Sequence, residues 1–423
     1  LRILVISINY WPDLTGIAAF NTSRCEYLAA QGHQVTICTG PPYYPEWSVP
    51  EPYRGKLIQR EERNGVTILR SWMFVPSLRN TTKRILHEAS FLASSFIRAL
   101  GSGKPDVIFA VSPPLGLGLV VVALGKLWGV PFIFDVEDLQ PDAAVDLGMI
   151  KGKTVLRALY AIEKLAYRKA TLVSTLSEEM RQRILKKGID PEKVVLFPPH
   201  ADASLYSLRK RTDGSAFREK FGLKGKFIVS HSGNMGVKQG LGVVIEAAAK
   251  SREREDIQFL IVGDGAMRSQ LESQAREHGF KNVLFLPLQK PDSMFQEMLA
   301  ATDIGLITQQ RIVADIVFPS KTVTLLSAGC PVIAAVNCES KVAQVVEGSG
   351  AGLVVEPENP EALLAAIYML AGNPDLLKRM SRKGREFAIE TWSEERTLPQ
   401  MERHFLYCTE QSSNEVPVEA SAD

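Results

Sequence analysis

Cysteine is scarce in this chain of 423 residues: Cys25, Cys38, Cys330, Cys338 and Cys408 form an odd, scattered set without metal-ligand spacing. This excludes a disulfide framework and suits reduced core thiols in a cytoplasmic protein. The six histidines are also dispersed, so neither a metal nor another cofactor is expected. An excess of one charge is missing too, since 49 Lys+Arg against 47 Asp+Glu leave a formal net charge of +2. With no aromatic–basic repeat, that balance excludes a general nucleic-acid binder. The longest apolar run, Leu115–Gly125, stops at Lys126 and is too short to span a bilayer. No basic leader precedes the first strand near Arg2, so no signal peptide is expected, and the missing initial Met suggests slight trimming. Short internal repeats are absent as well.

What is present is material for large cores, with 45% apolar and 23% charged residues and length for about two to three domains. Strand-length apolar runs alternate with helical patterns throughout. Strands are expected at 3–8, 34–39, 66–71, 107–111, 132–135, 172–175 and 194–197. After Phe197-Pro-Pro-His200 and a basic stretch over 209–226, a second series follows at 227–231, 258–262, 283–286, 304–307, 332–335 and 352–355. Continuous apolar strands with helical crossovers imply parallel sheets covered on both faces. The expected class is α/β, with two doubly wound domains facing across a cleft, at 1–203 and 204–392. A helix over 393–409 should pack back toward the first domain, and the acidic, Ser-rich tail 410–423 should be disordered.

Ligands of such sheets lie beyond the carboxyl ends of the strands, so the loops there carry the chemistry. In Val317–Ile333, Phe318-Pro319 closes a loop, Ser320 can cap a helix, and Lys321 stands on its first turn. First-turn N–H groups, the helix dipole and an ammonium then point the same way, as an anion such as phosphate requires. An ordinary capped helix with a surface lysine is the alternative. Gly16 opens the helix after the first strand and admits a close ligand, or it is a plain strand–helix turn; the G-x-G-x-x-G of a nicotinamide enzyme is absent there. Gly233, Asn234, Gly236 and Lys238 form a second phosphate-directed loop. Gly263-Asp264-Gly265 suits close approach of a flat or polar ligand, or is a common turn. The strand ending at Leu286–Leu288 offers backbone groups to a nucleobase edge. Asp135, Glu137 and Asp138 end a strand, where carboxylates serve as general base or bind sugar hydroxyls, and helix capping by Asp138 or Asp142 competes with that reading. Tyr44 and Trp47, in a rigid aromatic loop, can stack on sugars or anchor the loop.

Taken together, ISINYWPDLTGI, PPYYPEW, SPPLGLG, DVEDLQPDAAVDLGM, STLSEEM, SHSGNMG, GDGAMR and FPSK…AGCPVIA resemble the retaining glycosyltransferases of the GT-B fold, family 4, in their exopolysaccharide branch. The resemblance implies two Rossmann-like domains and transfer of a sugar from a nucleotide-sugar donor, held by the second domain, to a glycan or lipid-linked acceptor on the first. It implies that the Gly16 loop meets the diphosphate, that Gly263 and Leu288 lie near the base, and that the Asp138 region lies near the acceptor. It further implies a front-face transfer without an enzymic nucleophile. Lys321, Lys238 and amides of the Gly16 loop and the Ser320 helix would neutralise the leaving diphosphate, domain closure would align the acceptor, and Asp138 would orient it or act as base.

The chain departs from that pattern. The family's two helix-flanking glutamates fall on Ile316 and Thr324, so Thr324 has only a hydroxyl to offer the donor ribose. The family's Arg and Lys in the phosphate loop fall on Asn234 and Gln239, a usual Gly on Ala18, a nearby basic residue on Ala19, and a frequent His on Asp135. These changes keep two alternatives open, a non-catalytic member serving polysaccharide assembly and a sugar-nucleotide epimerase relying on His200, His231, Asp135 and Glu137. Basic, apolar helices over 79–104 and 151–169 suggest peripheral attachment to an anionic inner membrane face, unless each is a packed helix with a solvated basic side.

Overall fold

A computed structural model describes residues 1–414 apart from 14–15, 45, 78–79, 147–151, 202, 278, 290–292 and 313–318. Ile316, Arg79 and Lys151 therefore lie outside the described residues, as does the tail from 415. The chain forms two compact units: Leu1–Pro198 with the segment from Thr397, and Pro199–Arg396.

The first unit is built on eight strands: β1 (Arg2–Ile6), β2 (Gln34–Thr39), β3 (Ile58–Arg63), β4 (Val66–Ser71), β5 (Val107–Ser112), β6 (Phe132–Val136), β7 (Leu172–Thr175) and β8 (Val194–Leu196). Their order is β3-β4-β2-β1-β5-β6-β7-β8. β5 and β6 are buried at every residue, as apolar strands covered on both faces must be. The outer strand β3 was not expected. It pairs antiparallel with β4, carries the charged sequence IQREER, and buries none of its residues, so it has no apolar run to betray it. Its signal is the following Asn64-Gly65, both at positive φ (46° and 80°), the turn that joins a tight hairpin. The charges also guard the edge against pairing with another chain.

The second unit has six parallel strands, β9 (Phe227–Ser232), β10 (Ile257–Val262), β11 (Val283–Leu286), β12 (Ile304–Thr308), β13 (Val332–Ala335) and β14 (Gly352–Val355), in the order β11-β10-β9-β12-β13-β14. The last helix runs Glu394–Asn414, so residues 410–414, expected to be disordered, are helical. Its spacing explains this: Leu398, Met401, Phe405 and Cys408 recur on one face and are buried with Ile3, Val5, Phe109 and Phe197. On that helix Glu402 meets Tyr27 Oη at 2.9 Å and His33 Nε2 at 3.0 Å, which returns the chain end to the first unit.

Candidate anion site and acceptor loops

In the second unit the strand order reverses between β9 and β12, and such a switch point opens a crevice beyond the strand ends. β9 runs out there through His231 into Gly233. Gly233, Gly263 and Gly265 have φ of 133°, 142° and 156°, values that side chains disfavour. Space demands glycine as well: a Cβ on Gly263 would lie 1.8 Å from the Gly233 carbonyl oxygen, and one on Gly265 2.6 Å from Asn234 Oδ1. The loops after β9 and β10 are thereby laid against each other. Met235 N–H donates to the Asp264 carbonyl at 2.8 Å and Met267 N–H to the Met235 carbonyl at 2.9 Å.

The helix Ser320–Ser327 enters the same region. Ser320 was expected to cap it, but the cap position is taken by Pro319, and no side chain caps the helix. Proline's fixed φ of −68° suits the extended entry, so Ser320 becomes the first helical residue. Lys321 follows, and its Nζ lies 3.3 Å from His231 Nδ1 and 3.2 Å from Nε2. A Cβ on Gly233 would be 3.6 Å from the same ammonium, so the lysine faces the loop after β9. Burial pulls Lys321 down to about 7. It also holds His231 well below its usual value, with the charge of Lys321 as the second cause. Among the described residues, Lys321 forms no ion pair with a carboxylate. A half-buried lysine with no anionic partner among the described residues, beside glycine backbone and an uncapped helix start, is what a phosphate group would complete.

Other sequence-selected residues of this unit are placed less directly. Gln239, at the family's lysine position, accepts the Gly236 N–H on its Oε1 at 3.0 Å and so closes the turn. The Lys238 carbonyl accepts from Gln310 N–H at 2.9 Å, which ties this loop to the end of β12. Thr324 Oγ1 donates to the Ser320 carbonyl at 3.4 Å. Asp264 accepts from the Gly265 N–H at 2.8 Å, Asn234 is exposed, and Leu288 is half-buried in the loop after β11.

In the first unit, Gly16 caps the helix Ile17–Ala30 at φ 59° with open space around its Cα. Asp135 and Glu137 are turned inward. Arg24 Nη1 reaches them at 2.9 and 2.8 Å, and Ser174 Oγ donates to Asp135 at 2.7 Å. All three charged residues are buried. Burial pushes the Glu137 carboxyl up to about 8; Arg24 opposes this, and the Asp135 carboxylate adds to it. With one cation for two carboxylates, the cluster is neutral when Glu137 keeps its proton. Asp138 is half-buried, with its carbonyl bonded to the Gln140 N–H at 2.9 Å. Asp142 is an internal partner of Lys187 at 2.8 Å and Tyr160 at 2.8 Å. Trp47 packs with Tyr43 (5.3 Å) and His87 (5.2 Å), while Tyr44 stands 6.5 Å from Tyr43.

Sequence reasoning missed the residues that hold these loops. Asp13, buried and raised by burial to about 6, accepts the N–H groups of Tyr43 and Tyr44 at 3.4 and 3.5 Å. Arg70 donates to the carbonyls of Gly40 (3.1 Å) and Trp11 (2.5 Å) and pairs with Glu61 of β3 at 2.9 Å. A charged residue inside a strand's apolar run was the available signal for Arg70. Among the described residues, no group of three or more His, Cys, Asp or Glu side chains could hold a metal, and no helix is long and apolar enough to cross a membrane.

Residues 15–200 match the glycosyl transferase 4-like domain and residues 213–387 the group 1 glycosyl transferases. A colanic acid biosynthesis glycosyl transferase of Escherichia coli K12, WcaI, is 37% identical over 95% of this chain and 98% of its own length. The alpha-D-kanosaminyltransferase of Streptomyces kanamyceticus is 24% identical over 61% of this chain and 66% of its own. Among solved structures, sucrose-phosphate synthase from Thermosynechococcus elongatus has a TM-score of 0.75 at 18% identity, covering 97% of this chain and 99% of that one. Anabaena HepE in complex with UDP-glucose has a TM-score of 0.71 at 17% identity, covering 96% and 99%.

Proposed function

This chain belongs to the family 4 and group 1 glycosyltransferases and has their GT-B fold, and on that premise we propose that it transfers a sugar from a nucleotide-sugar donor to a glycan acceptor in exopolysaccharide assembly, retaining the anomeric configuration. The observation that carries this reading is Lys321, a half-buried lysine with no carboxylate partner among the described residues, beside the glycine loops of the second unit. The diphosphate of the donor supplies the missing anion. Lys321 and the first-turn amides of its helix then stabilise the charge that grows on the leaving diphosphate. The complex of HepE with UDP-glucose and the pathway in the name of WcaI support donor class and setting by similarity.

The reaction needs a base only as the acceptor hydroxyl gives up its proton, and the departing phosphate can take it. Asp138, half-buried just beyond the end of β6, orients the acceptor. Lys238 adds charge to the same phosphates. No metal is assigned to the transfer.

A lipid-linked acceptor fits the surface of the first unit. On the helix Thr81–Leu100, Ile85 and Ile97 are 64% and 70% exposed, with Lys83, Arg84 and Arg98 among them. The helix Lys153–Lys169 exposes Lys153, Arg157, Lys164, Arg168 and Lys169, while its single acid, Glu163, is buried against Lys187 at 2.7 Å. Such a face suits peripheral contact with anionic lipid. Flotation with phosphatidylglycerol vesicles should carry the protein and flotation with phosphatidylcholine should not; equal behaviour removes the lipid assignment.

A second reading, a non-catalytic partner in polysaccharide assembly, is favoured by Thr324 and Gln239, whose side chains are bonded within the protein. The deciding experiment is transfer from a panel of nucleotide sugars to lipid-extracted acceptor by the wild type and Lys321→Ala. Transfer by the wild type that falls about a hundredfold or more in the variant is expected. Near-full activity in the variant contradicts the assignment, and binding of nucleotide without transfer favours the second reading.

A further inference from the structure

We propose that His231 positions Lys321, and that occupation of the anion site beside Gly233 is coupled to uptake of a proton by this pair. The inference rests on the donor-site reading and deepens it. His231 is fully buried at the end of β9, and both of its ring nitrogens lie within hydrogen-bond distance of the Lys321 Nζ. A neutral imidazole is a lone-pair acceptor on one nitrogen and a donor on the other. It can therefore hold the lysine nitrogen as amine or as ammonium without itself changing charge.

The surroundings decide which form the empty site keeps. On β9 the titratable neighbour is His231. In the loop that follows, Gly233 and Asn234 are uncharged, and Lys238 is the one charged residue before the helix that starts at Gly242. Beyond β10, Asp264 is exposed and bonded to Gly265, and Arg268 is paired with Glu272 at 2.8 Å. β12 brings no titratable group, and Arg311 beyond it is paired with Glu356 at 2.8 Å. The helix Pro374–Trp392, packed on the lysine's own helix, contributes Arg385 at the far end, beside Gly329. The lysine's own helix presents its positive end. Nothing among these described groups repays burial of an ammonium, in keeping with a Lys321 drawn down to about 7. A diphosphate reverses that balance, because its negative charge favours the ammonium. At alkaline pH the amine takes a proton from solvent as the anion arrives, forming one N–H bond and leaving the buffer one proton poorer.

Two measurements on the full chain test this. In the first, Lys321 is followed by reductive ¹³C-methylation and NMR in the ligand-free protein, its signal assigned by its loss in Lys321→Arg. A midpoint near 7 supports the proposal, and one near the ordinary lysine value of about 10 overturns it. In the second, calorimetric titration of UDP, GDP, ADP and TDP is run at about pH 8 in Tris and in HEPES, where the ligand phosphates are already ionised. The binding enthalpy should depend on the buffer with uptake of about one proton, absent in Lys321→Met. His231→Phe should weaken binding about tenfold and shift the NMR midpoint, whereas His231→Gln, which can still accept, should restore much of the affinity. Binding without buffer dependence overturns the coupling but leaves the donor site standing. Absence of binding by all four nucleotides strikes the donor-site reading, and the NMR midpoint then decides the pairing alone.

Discussion

Each unit of this protein turns a basic side chain inward, Arg24 buried and Lys321 half-buried, and the two are answered in opposite ways. In the first unit Arg24 meets two carboxylates, Asp135 and Glu137, and Ser174 supports one of them. In the second, Lys321 meets a neutral histidine, glycine backbone and the start of its own helix. Both stand near the carboxyl ends of strands in α/β sheets, where function is looked for. A buried charge that is already neutralised serves the fold, whereas a basic group left without a counter-charge is available to a ligand. Acidic residues at a strand end are therefore poor guides by themselves: Asp135 and Glu137 suit acceptor binding in sequence and are paired with Arg24 inside the fold.

The contrast can be broken at its strongest point first. Arg24→Met should leave two carboxyls buried without their cation and lower stability by about 3–5 kcal/mol, read from urea unfolding; an unchanged midpoint would mean that the cluster does not hold the fold. Lys321→Ala should behave inversely, with unfolding essentially unchanged and transfer reduced by about two to three orders of magnitude. Next in size is the pH dependence of the cluster. The folded-state pKa of Glu137 is raised by burial to about 8, so its contribution is complete below the unfolded value and is lost as pH rises through the folded one. Stability should fall by up to roughly 1 kcal/mol per pH unit between about 5 and 8 in the wild type. Glu137→Gln should flatten that slope in thermal unfolding; an identical slope would assign the titration to another group. The smallest change sharpens the second unit. Thr324→Glu places a carboxylate where the resembling family holds the donor ribose and should tighten nucleotide binding by about tenfold or less. A weaker complex would show that the threonine is matched to a different donor.

Most strands were legible because each is an apolar run of the right length, and β9 to β14 stand where those runs stand. β3 was not legible by that rule, since IQREER is charged and only the Asn64-Gly65 turn marks it. The glycine loops and Lys321 could be read because each motif is contiguous. What joins them could not, because Lys321 and His231 are separated by 90 positions and Arg24 and Asp135 by 111, and nothing local specifies such pairs. Ser320 shows a smaller limit: Ser at a helix start signals a cap, but Pro319 before it takes the extended position. The clamp on the aromatic loop was missed for the same reason, as Asp13 and Arg70 act through the backbone of loops distant in sequence.

The most direct test of the central claim is a thermal-shift titration with a panel of nucleoside diphosphates on the wild type and Lys321→Ala. Ligand bound only by the folded state raises the melting temperature by mass action. A saturable rise with at least one nucleotide is expected, lost in Lys321→Ala although the ligand-free proteins melt together. A rise of equal size in both proteins, or none with any nucleotide, would contradict it.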